Sequence, residues 1–172
     1  MNRKTRLHET IAFITGIVAL ALAGGAAAAD GIAKGTLTYQ AKAGAITISP
    51  KFVYLVKGPD DVEKNMIIRR LILSEADLGA RIAGCSTMRC PMGGLKSGMT
   101  VDLDAGPRLN YWVVLNDQRV QYSGTAKPAA LVLTTNTPGR LAGKLVLDGT
   151  AGGPKVDIEF DAPLLKELKQ AQ

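Results

Sequence analysis

The chain has 172 residues, with 21 Lys plus Arg against 15 Asp plus Glu, a formal charge of +6 and a single histidine. That histidine, His8, lies in an N-terminal segment expected to be removed, so the working domain has no imidazole. Its absence excludes Ser-His-Asp and Cys-His nucleophile systems, His-ligated zinc and the usual proton shuttle at neutral pH, and leaves only carboxylate- or lysine-based catalysis.

Residues 1–29 read as a secretory signal peptide. Arg3, Lys4 and Arg6 supply a positive start, residues 11–23 are apolar and helix-prone, and Ala26 to Ala29 form a small-residue cleavage site before Asp30. An uncleaved anchor is the alternative, because residues 11–29 carry no charge and approach the length of a bilayer span. Gly24, Gly25 and the alanines after them bury little area and argue for cleavage. No Cys follows the apolar core, as a lipoprotein would need.

Cleavage leaves about 143 residues with 18 basic against 14 acidic side chains, a charge of +4. These charges are scattered, so a nucleic-acid partner is not expected, and the membrane is expected to matter only through the transient leader. One domain of this length can build its own core without a cofactor. The expected organisation is a leader at 1–29, a β-domain at 30–163 and a C-terminal tail at 164–172.

In chain order, residues 35–40 alternate as a first strand, with Leu37 and Tyr39 on one face. Residues 45–56 form one long strand or two collinear ones, interrupted at Ser49-Pro50, because proline cannot donate to a central ladder. The continuous apolar run from Phe52 to Val56 suits a strand covered on both faces. Gly58-Pro59-Asp60-Asp61 signals a turn into an exposed loop.

Residues 66–73 form the next strand. Its Arg69 and Arg70 fall on opposite faces, an edge or rim position being expected, with a core arginine and a carboxylate partner as the alternative. Ser74 is placed to cap a helix over residues 75–82. Residues 99–104 alternate as a half-exposed strand, which puts Asp102 and Asp104 in solvent. Residues 109–115 carry the only tryptophan, Trp112, and should pair with 119–123 as a hairpin. Tyr111 and Trp112 face opposite ways, so at least one belongs to the core and the other is free to floor a groove.

Residues 130–135, 140–147 and 155–162 complete the set. In the last, Val156, Ile158 and Phe160 oppose Asp157, Glu159 and Asp161. Residues 164–172 are expected to end in a frayed helical turn. The fold class is therefore mainly β, a single-domain antiparallel β-sandwich or partly closed barrel of eight or nine strands with one short helix.

Gly35-Thr36-Leu37-Thr38, the 52–56 strand, the Arg70 to Ser74 run and Leu141-Ala142-Gly143-Lys144 with residues 156–164 resemble a loose group of small exported bacterial β-domains of unknown function. The resemblance covers most of the chain after the leader. It implies the fold and export, carries over no functional residue, and does not extend to residues 85–92.

That last segment, Cys85-Ser86-Thr87-Met88-Arg89-Cys90-Pro91-Met92, is the one stretch with its own chemistry. In an oxidising compartment Cys85 and Cys90 are expected to form a disulfide, closing a ring too short to contribute more than about 2 kcal/mol. The alternative is a soft-metal site, in which Cys85, Met88, Cys90 and Met92 would hold monovalent copper. A thiol-disulfide catalyst would show the two-residue spacing, which is missing. The expected function is an exported, periplasmic or secreted, non-catalytic binding module for an envelope component or small ligand. Metal handling, and a carboxylate or lysine enzyme, are the alternatives.

Overall fold

The structure, a computed structural model, describes residues 31–63, 65–116 and 119–172. The expected leader falls on residues 1–29 and lies outside them. Ten strands follow one another: β1 (Gly31–Ala41), β2 (Gly44–Ile48), β3 (Phe52–Pro59), β4 (Ile67–Ser74), β5 (Gly98–Leu103), β6 (Leu109–Leu115), β7 (Arg119–Ala126), β8 (Leu131–Thr137), β9 (Arg140–Asp148) and β10 (Lys155–Glu167). One short helix, α1 (Gly79–Ala83), sits between β4 and β5.

All ten strands belong to one sheet, ordered β7-β6-β5-β4-β3-β1-β10-β9-β8 with β2 paired to β1. Pairing is antiparallel except where the end of β10 runs parallel to β3, Leu164 opposite Leu55 and Glu167 opposite Lys57. Ten strands exceed the eight or nine expected, and Ser49 and Pro50 divide the 45–56 segment into β2 and β3. The sheet curls over one core on its inner face and stays open between β7 and β8.

The core inside the curl is built from alternate residues of nearly every strand. Val53 and Leu55 of β3, Leu71 and Leu73 of β4, Met99 and Val101 of β5, and Tyr111 and Val113 of β6 meet Leu141 and Leu145 of β9 and Val156, Ile158 and Phe160 of β10. On the outer face of β9 and β10 the intervening charges pair across the strands, Lys144 with Asp157 at 2.8 Å and Arg140 with Asp161 through two hydrogen bonds. The Arg140 hydrogen bonds hold the Asp161 carboxyl below its ordinary value.

The curl depends on close backbone approach. Gly35 has φ +133°, and a Cβ built on it would lie 2.0 Å from the Asp157 carbonyl oxygen of β10. Gly143 in β9 stands in the same relation to Val132 of β8, at 2.1 Å. Glycine lets each strand kink against its neighbour where any side chain would hold them apart.

The β3 to β6 half of the sheet is covered on its other face as well. Tyr54, Val56, Ile68, Ile72 and Val114 pack there against Leu78, Ile82, Cys85, Met88, Leu95 and Leu168. Every residue of β5 is consequently buried, which corrects the half-exposed strand expected from its alternation. The alternation was real, but the second face meets a layer contributed by residues distant in sequence.

Two further expectations are corrected in this outer layer. The helix begins at Gly79, not at residue 75, and has no side-chain cap at Leu78. The Tyr54 hydroxyl donates to Asp77 Oδ1 at 2.7 Å and accepts from the Leu78 N–H at 2.7 Å, while Asp77 Oδ1 also accepts from the Gly79 N–H at 2.8 Å. Ser74 Oγ accepts from the Ala76 N–H at 3.2 Å, so residues 74–78 are pinned as a turn. Hydrogen bonds from Gly79 and then Tyr54 hold the Asp77 carboxyl below its ordinary value.

At the C-terminus, the expected helical turn is instead the extended end of β10. The Leu168 N–H donates to the Lys57 carbonyl at 2.7 Å and its side chain is buried in the outer layer. Unpaired edge on β3 beyond the start of β1 gives these residues a ladder partner, and a strand satisfies their backbone better than a frayed helix would.

Candidate functional site

The outer face of β4, β5 and β6 carries a polar row fixed by strand register. Arg70 lies opposite Asp102, and Asp102 opposite Asn110. In the neighbouring row, Thr100 lies opposite Trp112. Side chains two apart on one strand share a face, so Asn110 and Trp112 project from β6 beside the Arg70 and Asp102 pair.

Arg70 and Asp102 are 2 % and 3 % exposed and form a bidentate pair, Nε to Oδ1 at 2.5 Å and Nη2 to Oδ2 at 2.7 Å. Arg70 Nη1 also donates to the Met88 carbonyl at 2.8 Å, and Nη2 stands 3.7 Å from Asp61 Oδ2. Burial works against the Arg70 charge, yet the hydrogen bond and charge of Asp102, with Asp61 and Asp60 behind them, carry its pKa above the ordinary value. Burial pushes the Asp102 carboxyl upward, against the pull of Arg70. The two-point geometry is that of a guanidinium and a carboxylate held as a pair.

This corrects the sequence expectation for both residues. Arg70 is no rim residue and Asp102 no solvated one; each is tolerable in the interior only because the other is there. Arg69, on the opposite face, pairs with Asp104 at 2.6 Å and reaches Asn136 of β8 at 2.7 Å.

Two segments roof the polar row. The first is the loop after β3, where Asp60 Oδ1 accepts from the N–H groups of Val62 at 2.6 Å and Glu63 at 3.0 Å, fixing a tight turn. The second is the segment holding both cysteines. Cys85 and Cys90 lie at disulfide distance, 2.01 Å between sulfurs, and a 3-10 turn over Cys90–Gly94 follows.

Between roof and row is a cavity of about 300 Å³. Trp112, Met92 and Val62 give it apolar walls, and Asn110, Asp60, Asp61 and Arg89 join the Arg70 and Asp102 pair in supplying polar groups. Asp61 Oδ1 is buried and has no hydrogen-bond partner among the described residues.

Of the four sulfur residues singled out from sequence, Cys85, Met88 and Cys90 belong to the outer layer. Met88 is fully buried in the outer layer beneath Gly58, whereas Met92 lines the cavity, and the two cysteines are bonded to each other. Among the described residues no group of three or more His, Cys, Asp and Glu is placed to hold a metal ion.

A larger gap of about 630 Å³ opens at the seam of the curl, between β6 and β7 on one side and the turn joining β9 to β10 on the other. Some of its groups are engaged with one another. Tyr111 and Tyr122 stack with centroids 6.1 Å apart, and Asp148 accepts from the Thr150 N–H and hydroxyl. Burial, with Tyr122 and Asp148 nearby, pushes the Tyr111 hydroxyl up to about 12.

A phenol whose pKa rises on folding gives stability that is whole below pH 10 and is lost as the pH climbs from 10 towards 12. Tyr111→Phe should flatten that alkaline loss and delete the latest step in the tyrosinate absorbance titration. An unchanged titration would show that Tyr111 is not the late group.

Sequence reasoning reached Trp112 and Met92 but missed Asn110, Asp60 and Asp61 as members of one site. The available signal was the arginine in one strand and the aspartate in the next, whose register puts them side by side. No helix among the described residues is long and apolar enough to cross a membrane. Comparison with protein-family models, curated proteins and solved structures finds no match.

Proposed function

We propose that the protein is an exported, non-catalytic binding domain whose ligand occupies the cavity at Trp112. The observation that carries this reading is the construction of that cavity. Two separate segments roof a register-fixed row, and the space they leave combines an aromatic plane with a few convergent polar groups, the usual make-up of a small-molecule site. Its charged side chains also favour holding over reacting. Arg70 and Asp102 are committed to each other, Asp60 to backbone N–H groups, and Asp61 faces the Arg70 guanidinium at 3.7 Å, so none of the three carboxylates is poised as a base beside a nucleophile.

Export is supported by the leader sequence and by the bonded cysteines, which suit an oxidising compartment. The test is a small-molecule fragment screen followed in nitrogen-resolved NMR spectra. The Trp112 indole and Asn110 amide signals should shift saturably with the hits, without new product resonances. Hits that cluster at the seam instead, or turnover of any fragment, would defeat the proposal.

A further inference from the structure

We infer that the Trp112 cavity takes a neutral saccharide, a sugar ring lying on the indole with its hydroxyls among the polar groups of the roof and floor. This rests on the binding role proposed above and names its ligand class.

Charge is the first argument. Arg70 and Asp102 cancel each other, leaving Arg89 on one side of the balance and Asp60 and Asp61 on the other. The surplus is one negative charge, which disfavours an anion, and its pull on a cation is blunted because Asp61 Oδ2 already stands 3.7 Å from Arg70 and Asp60 Oδ1 accepts from two backbone N–H groups. A hydroxyl brings no charge of its own and can donate to a carboxylate and accept from a guanidinium with the same oxygen.

Hydrogen-bond demand is the second. The Asp61 side chain, 30 % exposed, lines the cavity and offers it a carboxylate acceptor. Asn110 brings an acceptor and two donors to the same space. Several donors and acceptors so close together suit a ligand that presents both at neighbouring positions, as the hydroxyls of a sugar do.

Shape is the third. Trp112 is half-buried, with Met92 and Val62 completing an apolar wall, so a ligand with one C–H face and a polar rim fits better than one polar all round. A volume of about 300 Å³ is at the lower end for ligand sites and suits one or two rings, not an extended chain.

Trp112 is the only tryptophan, so its emission reports on this cavity alone. The purified protein would be titrated with glucose, galactose, N-acetylglucosamine and their disaccharides, and separately with tetramethylammonium and glucuronate. At least one neutral sugar should saturate the signal and bind at least about tenfold more tightly than either ion, with Asp61→Asn and Asn110→Ala each weakening it about tenfold or more. Asp157→Asn, on the outer face of β10, should leave it unchanged, and thermal unfolding of each variant checks the fold. Saturation by an ion alone overturns the saccharide class and leaves the cavity a binding site. Silence towards every compound overturns the saccharide class, and the fragment screen then decides whether the cavity binds anything.

Discussion

Arg70→Ala should destabilise the domain by about 3–5 kcal/mol, because it strands the Asp102 carboxylate in an interior where it is 3 % exposed. Asp102→Ala should cost a similar amount by stranding the guanidinium. The double change to Arg70→Met with Asp102→Leu should recover most of the loss, since two apolar side chains need no desolvation penalty offset. Urea unfolding followed by Trp112 emission measures all three, and the coupling between the two positions follows from the cycle. Single variants within about 1 kcal/mol of the parent would show that the pair is solvated in solution. The double variant should also lose the backbone anchor at Met88, so a stable protein with weakened ligand binding is the expected combination.

Gly35→Ala should be among the most damaging changes of a single methyl group. The added Cβ would lie 2.0 Å from the Asp157 carbonyl oxygen, and the obstacle is backbone, which no rotamer change can move aside. The left-handed φ of +133° adds strain of its own, about 1–3 kcal/mol. Relief requires β1 to part from β10 near the Gly35 and Ile158 pair, at the centre of the curl. We expect a loss of about 3 kcal/mol or more in urea unfolding, up to failure to fold. Gly139→Ala is the matched control: a Cβ there meets nothing within 4 Å, and its effect should be within about 1 kcal/mol of zero. Equal behaviour of the two variants would mean that the close approach at Gly35 is relaxed in solution.

What could be read in advance was what alternation and turn chemistry encode locally. The face of β10 carrying Val156, Ile158 and Phe160, the β6 and β7 hairpin, the break at Pro50 and the double coverage of residues 52–56 all follow from neighbouring residues. Asp102 was misread because Met99, Val101 and Leu103 imply only that one face is buried. The cover on the other face comes from residues 78–95 and Leu168, whose position no local pattern reveals. The helix start failed for a related reason: Ser74 is a suitable cap in isolation, but Tyr54, twenty-four residues from Leu78, holds residues 77 and 78 in a turn. The site was half legible. Trp112 stood out by rarity and Met92 by its company, while Asn110, Asp60 and Asp61 acquire meaning only once register and loop closure bring them to one cavity.

The last residues are stitched to the disulfide segment, Met88 N–H to the Gln170 carbonyl at 2.9 Å and Arg89 N–H to the Ala171 carbonyl at 3.3 Å. Arg89 and Met92 hang from that same segment above the cavity. A purification tag or fluorescent fusion joined after Gln172 would therefore tug on the ceiling of the cavity, whereas one placed ahead of β1 would leave it undisturbed.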